Sequence, residues 1–265
     1  MHAVGILGCG WLGVPLAHHL MGSGYRVRGS RTSTQGVSIL EKEGISGFKV
    51  VLGENTSEGV APFLEDLDYL VIGIPPGRNS HNQGSLLQKV SQLLAWTQSS
   101  KIQRLIFLSS ISVYGSKGKT FDEECVPEPE TDAAKTLLAC ENLIIAKHTS
   151  SVIIRLGGLV GPDRNPITSF QGKTIANPKG KINFVHQKDA VEGISSLIAT
   201  PKVEGVFNLV SPHHPERATY YSFQAQIRGL AVPEFAQEET INRIIKGTKI
   251  TQYTSFSYSV DNLLI

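Results

Sequence analysis

Short runs of aliphatic and β-branched residues alternate with amphipathic stretches over most of this chain. Ala3–Leu7, Tyr25–Arg28, Phe48–Leu52, Tyr69–Ile74, Arg104–Leu108 and Val152–Leu156 read as strands. Their near-continuous hydrophobicity is what a parallel sheet covered on both faces requires. Val14 to Met21, Thr34–Glu43, Leu86–Trp96 and Ala133–Lys147 carry helical patterns between them. Right-handed crossovers then predict an α/β fold with a doubly wound parallel sheet. The rhythm becomes irregular from Gly161-Pro162 to Pro178. It resumes with a strand at Lys181–Val185, a helix from Gln187 to Ala199 and a strand at Val206–Leu209. The remaining residues mix Pro, Gly, His and aromatics, which predicts a small C-terminal lobe. The expected division is a core of residues 1–160 and about 181–210, with a lobe of about 161–180 and 211–265. Open α/β sheets bind ligands outside the carboxyl ends of their strands, so the lobe is expected to cover the substrate.

At 265 residues, 40% hydrophobic and 18% charged, the chain is long enough to bury a full core. The apolar run Val4 to Met21 approaches the length of a membrane span. Yet it contains Gly5, Gly8, Gly10, Gly13, Pro15 and His18-His19, and lacks a basic leader or small-residue cleavage site. A buried βα unit accounts for it, and a soluble, cytoplasmic protein with no membrane partner is expected. The net charge of +2, without a basic stripe, excludes nucleic acid as a favoured partner. Cys9, Cys125 and Cys140 have no metal-ligand spacing and no disulfide framework. His213-His214, between Pro212 and Pro215, reads as a surface turn, and no metal is assigned.

Candidate chemistry begins at Gly8-Cys9-Gly10-Trp11-Leu12-Gly13, between the first strand and the first helix. This is the strand, glycine turn and helix context of a dinucleotide fingerprint, which places the sheet in the Rossmann class. The first glycine makes the turn, the second admits a pyrophosphate, and the third lets helix and strand pack closely. The competing reading is a tight βα turn with no ligand. The second strand runs into Val27-Arg28-Gly29-Ser30-Arg31-Thr32-Ser33, with no carboxylate for ribose hydroxyls. Ser30, Arg31 and Thr32 suit a 2′-phosphate, so NADP is favoured over NAD. The alternative is a polar loop with a solvated arginine. Ile74-Pro75-Pro76 is expected to pass the adenosine half of the cofactor, although a proline pair also simply ends a strand.

Later motifs sharpen this picture. Leu108-Ser109-Ser110-Ile111-Ser112-Val113-Tyr114-Gly115 resembles the S-S-x-x-V-Y-G signature of extended short-chain dehydrogenases/reductases. Asp122-Glu123, Pro127-Glu128-Pro129 and Glu141 resemble the segment and helix that follow it there. Arg155-Leu156-Gly157-Gly158-Leu159-Val160-Gly161-Pro162 resembles that family's turn beside the nicotinamide. Ile182-Asn183-Phe184-Val185-His186 with Asp189, and Val206-Phe207-Asn208-Leu209, resemble its later segments. The glycine turn together with Gly29-Ser30 is similar to a bacterial nucleoside-diphosphate-sugar epimerase-like subgroup. The resemblance implies hydride exchange with a dinucleotide, a nucleotide sugar or similar polar substrate, and cofactor contacts at Ser109 and Gly157. It also implies a homodimer through Leu86–Trp96 and Ala133–Lys147, whose apolar faces otherwise belong to the core.

One departure stands out. The family's Tyr-x-x-x-Lys pair lies between a proline and a glutamate that here match Pro129 and Glu141. That register puts Ala133 at the tyrosine and Leu137 at the lysine. Lys135 is two positions out, a rotation of roughly 200° on a helix. The resemblance therefore points to Ser110 as a hydrogen-bonding site residue and Tyr114 as the nearest phenol. Their alternatives are strand termination and packing under the lobe. Asp122, Glu123 and Lys135 are further proton carriers by position, and Arg155, Arg164 and His186 are candidates for an anionic ligand. Arg155 has a second reading as a brace of the sheet. The competing class is a catalytically silent NADP-binding sensor or scaffold.

Overall fold

The computed structural model describes residues 1–53, 57–75, 85–148, 150–237, 240–260 and 262–264. Its centre is a seven-stranded sheet of β1 (Ala3–Leu7), β2 (Arg26–Arg31), β3 (Ser46–Lys49), β4 (Tyr69–Ile72), β5 (Arg104–Ser110), β6 (Ser151–Leu156) and β7 (Gly205–Leu209). The spatial order is β3-β2-β1-β4-β5-β6-β7, and every pairing is parallel. The order reverses between β1 and β4, which opens a crevice at the carboxyl ends of these two strands.

Alternation along the strands builds two cores. Leu7, Ile72, Leu105, Phe107 and Ile153 face α4 (Leu86–Thr97) and α5 (Asp132–Lys147), represented by Val90, Leu93, Cys140 and Ile144. Ile6, Val71, Ile106, Val152 and Ile154 face the other way, against Leu16 and Leu20 of α1 (Gly13–Gly22), Leu40 of α2 (Thr34–Lys42) and Ile194 and Ile198 of α6 (Gln187–Ala199). Neighbouring residues of one strand thus enter opposite cores, the period-2 pattern of a covered sheet. Ser85 and Gln88 form a reciprocal capping box that starts α4, and the Thr131 hydroxyl caps α5 by accepting from the Ala134 N–H at 3.2 Å.

A third apolar cluster gathers Val160, Ile167, Ile175, Ile182, Tyr220, Tyr221, Ala225 and Leu263 beyond the last strands. The Asn165 amide ties it together, donating to the Tyr220 hydroxyl (2.8 Å) and to Gln224 Oε1 (2.9 Å). The helix in this region, Arg217–Ile227, departs from the irregular segment that the sequence suggested. The strand expected at Lys181–Val185 is instead Phe184–His186, paired in parallel with Gly158–Val160. Its shift has a local cause: the Ile182 N–H donates to Pro215 O at 3.0 Å, so the preceding residues join the loop rather than a ladder. The strand expected at Phe48–Leu52 is also two pieces. Ser46–Lys49 closes the sheet, while Val51–Leu52 turns away to pair antiparallel with Ser57–Glu58.

Candidate functional site

The carboxyl ends of β1, β2, β4, β5 and β6 border a cleft of about 640 Å³. It runs from Gly8, Gly10, Trp11, Leu12 and Gly13 past Ser30, Arg31 and Thr32 to Ile74, Pro75, Ser109 and Ser110. Each of these was singled out by the sequence. A second cavity of about 450 Å³ lies at Ala61–Asp66 and Trp96–Lys101, before β4 and β5 begin, and touches none of them.

The glycine turn is built as a cradle. Gly8 has φ +84°, and a Cβ there would lie 2.8 Å from the carbonyl oxygen of Gly73. Its N–H donates to the Ser30 hydroxyl (3.0 Å), and the Cys9 N–H donates to Ser30 O (3.0 Å), so the turn is stitched to the end of β2. A Cβ at Gly10 would meet nothing closer than 3.8 Å and would project into the cleft instead. No side chain caps α1; the Val14 N–H donates to Gly10 O (2.9 Å), which leaves the N–H groups of Trp11, Leu12 and Gly13 for a ligand. Gly8→Ala is expected to lose about 1–3 kcal/mol of stability from the strained φ and the clash, read as a lower urea midpoint.

Beside the turn, Arg31 has a buried Nε with no hydrogen-bond partner among the described residues. Across it, the Trp11 indole donates to Asp163 Oδ1 (2.8 Å), and the Arg164 guanidinium lies 5.0 Å from the Trp11 ring centroid. Lys89 of α4 also lines the cleft. Among the described lining residues, the ionisable groups are Arg31, Lys89 and Arg164; no carboxylate is present. Three cations, one of them with an unsatisfied guanidinium nitrogen, and an open glycine turn fit the phosphates of a dinucleotide.

Beneath the cleft lies a buried polar cluster. The Ser109 hydroxyl donates to Glu141 Oε1, and Arg155 makes a two-pronged ion pair with the same carboxylate, with Nη2 2.7 Å from Oε2. The Arg155 guanidinium stacks 4.8 Å from the Tyr114 ring centroid, and the Tyr114 hydroxyl donates to Asn208 Oδ1 at 3.0 Å. Tyr114 is fully buried and does not line the cleft, which corrects its placement near a substrate. The short 3-10 turn Ile111–Tyr114 swings its ring inward, against Phe121. Burial pushes its pKa up against the pull of Arg155, away from what a proton shuttle needs at neutral pH.

The other sequence candidates also separate. Leu137 lines the cleft, and Ala133 lies one helical turn before it and is exposed. Lys135 is exposed and 3.8 Å from Asp132, away from the cleft. Glu123 Oε1 accepts from the Asn208 N–H (2.7 Å), while Asp122 accepts from the Glu124 N–H (3.2 Å). The His186 Nδ1 accepts from the Lys188 N–H (3.2 Å) at the start of α6. The Gly157 N–H donates to Leu209 O at 3.0 Å, and Gly157 is not among the lining residues. Pro76 falls outside the described residues. Lys89 carried no signal in sequence, since a single lysine on an amphipathic helix reads as solvated. Among the described residues no group of three or more His, Cys, Asp or Glu could hold a metal ion, and no helix is long and apolar enough to cross a membrane.

Comparison with known proteins places this geometry. The Escherichia coli K12 protein YeeZ is 34% identical over 270 residues, spanning 100% of this chain and 98% of that one. The Bacillus cereus UDP-glucuronic acid 4-epimerase, solved in complex with NAD, superposes with a TM-score of 0.82 at 21% identity, covering 99% of this chain and 94% of the other. A conserved protein of unknown function from Silicibacter pomeroyi superposes with a TM-score of 0.79 at 18% identity, over 100% and 96% of the two chains. These likenesses share the Rossmann sheet. Residues 4–210, the glycine turn and all seven strands of the sheet among them, match the model of the NAD dependent epimerase/dehydratase family, and the chain belongs to that family.

Proposed function

We propose that this chain is an NADP-dependent epimerase or oxidoreductase acting on a nucleotide sugar or a similar polar carbonyl or alcohol, with a proton donor other than the usual tyrosine. The observation that carries the reading is the cleft's lining of three cations and no carboxylate, with Arg31 at the end of β2. A ribose bearing two hydroxyls is held by an acid in the NAD-type fingerprint, whereas a 2′-phosphate is matched by arginine. The nucleotide-sugar class follows the UDP-glucuronic acid 4-epimerase likeness, and the lobe of residues 161–180 and 211–265 is assigned to cover that substrate.

Bound in the cleft, a nicotinamide would supply hydride acceptance and return. Arg31 and Thr32 hold the 2′-phosphate, and the N–H groups of Trp11, Leu12 and Gly13 receive the pyrophosphate. Ser109 has donated its proton to Glu141, so its oxygen offers only lone pairs to the cleft. Ser110 accepts from the Ser112 N–H (3.1 Å), which leaves its own proton for a substrate oxygen. Lys89 is assigned, with Arg31 and Arg164, to the phosphates of the cofactor. Lys89→Met is expected to weaken dinucleotide binding by about tenfold, read as a dissociation constant. The outer faces of α4 and α5, where Trp96 and Ile145 are exposed, are assigned to a homodimer.

Leu137 in the cleft wall, where the resembling enzymes place lysine, favours a second reading: a dinucleotide-binding protein without turnover. NADPH deuterated at the nicotinamide C4, on each face separately, distinguishes the two in a metabolite extract with mass-spectrometric detection. Deuterium in a product that depends on the protein supports the enzyme and identifies its substrate. Bound cofactor with no label, including on substrate recycled internally, supports the silent binder.

A further inference from the structure

Two motifs separated by 152 positions interlock at the rim of the cleft. The Trp11 side chain, inside the glycine turn, meets three residues of the segment after β6. Its indole N–H donates to Asp163 (2.8 Å), and Arg164 stacks on its face at 5.0 Å. A Cβ on Gly161 would come within 2.9 Å of the ring, so the turn Gly161–Arg164 approaches the indole more closely than any side chain there allows. That turn is closed by backbone bonds in both directions, Gly161 N–H to Arg164 O (2.9 Å) and Arg164 N–H to Gly161 O (3.2 Å). On the backbone side, Gln187 Nε2 donates to Trp11 O at 3.0 Å. In a trans peptide the carbonyl and the following N–H point in opposite directions. Gln187 therefore turns the Leu12 N–H away from α6, at a residue that lines the cleft.

Among the described residues the stacked guanidinium forms no ion pair, and its neighbour Asp163 is engaged by the indole. A planar cation fixed on an aromatic face keeps its edge N–H donors free and loses little freedom on binding an anion. Arg164 and Arg31 both line the cleft that holds the glycine turn.

We propose that Arg164, carried on Trp11, is the side-chain half of the pyrophosphate site, complementing the backbone half at the N–H groups of Trp11–Gly13. This rests on the dinucleotide reading of the cleft. Trp11 is then a platform and reporter, and Asp163 and Gln187 are positioning residues.

The chain has two tryptophans, and Trp96 lies by the separate second cavity. In a Trp96→Phe background, Trp11 emission therefore reports ligand binding. Titrations would use NADP⁺, NAD⁺ and adenosine 2′-monophosphate, which lacks the pyrophosphate. Arg164→Met is expected to weaken both dinucleotides by about tenfold or more, as for a hydrogen bond to a charged group, with a shallower salt dependence. Its affinity for adenosine 2′-monophosphate and its thermal midpoint should match the parent. Dinucleotide affinities within about twofold of the parent would overturn the inference alone. Equal weakening toward adenosine 2′-monophosphate would also overturn it, by revealing general damage to the cleft. A parent protein that binds neither dinucleotide removes the dinucleotide reading and this inference with it.

Discussion

Arg155→Met will cost about 3–5 kcal/mol of folding stability, the largest single-site loss expected outside the apolar cores. Arg155 and Glu141 are 5% and 1% exposed, so neither charge can turn to water when its partner is removed. Burial works against the charged guanidinium, but its hydrogen bonds and charge contact with Glu141 outweigh that and raise its pKa. Methionine fills much of the space and leaves the Glu141 carboxylate with only the Ser109 hydroxyl as partner. The double variant Glu141→Leu, Arg155→Met removes both charges and should regain most of the loss, since apolar replacements of buried pairs are often neutral. Urea unfolding of the two single variants and the double variant closes a mutant cycle. Additive losses would show that the pair is not the stabilising unit.

Arg31→Ser should reduce the preference for NADP⁺ over NAD⁺ by about 10–100-fold, measured as the ratio of their dissociation constants. The expectation follows from a guanidinium at the end of β2 that lines the cleft and whose buried Nε has no hydrogen-bond partner among the described residues. NAD⁺ has hydroxyls there and loses little when the cation is removed. The fold should be unaffected: Arg31 O still accepts from the Val50 N–H (2.8 Å), a backbone contact that does not depend on the side chain. An unchanged ratio would return Arg31 to an ordinary strand-end residue and remove the NADP assignment.

The parts of this molecule legible in its sequence are those set by local patterns. β1 is Ala3–Leu7 in both readings, because five consecutive apolar residues are buried on both faces of the sheet. The helix Gln187–Ala199 also begins and ends where its pattern does. β2 was read as ending at Arg28, because Gly29-Ser30-Arg31 looks like a loop; pairing with β3 holds those residues in the ladder. The five-residue helix Val60–Leu64 was invisible, being shorter than two turns and interrupted by Pro62. Arg217–Ile227 is not marked in sequence because its buried face, Tyr220, Tyr221, Gln224 and Ala225, has helical spacing but no aliphatic residue larger than alanine.

The site divides in the same way. The glycine turn and the end of β2 are contiguous, so their chemistry could be read in order. Lys89 reaches the cleft only through tertiary packing, and nothing near it in sequence announces it, whereas Arg164, an anion-binding candidate in sequence, owes its seat on Trp11 to tertiary packing. Tyr114 shows the converse: its motif was recognisable, but one turn of 3-10 helix decides which way its phenol points.

A crystal structure of this chain grown with saturating NADP⁺ tests the central claim most directly. The account predicts the pyrophosphate over Gly10–Gly13, the 2′-phosphate on Arg31 and the nicotinamide beside Ser110. NADP⁺ ordered anywhere else, or a cleft without dinucleotide at that concentration, would contradict it.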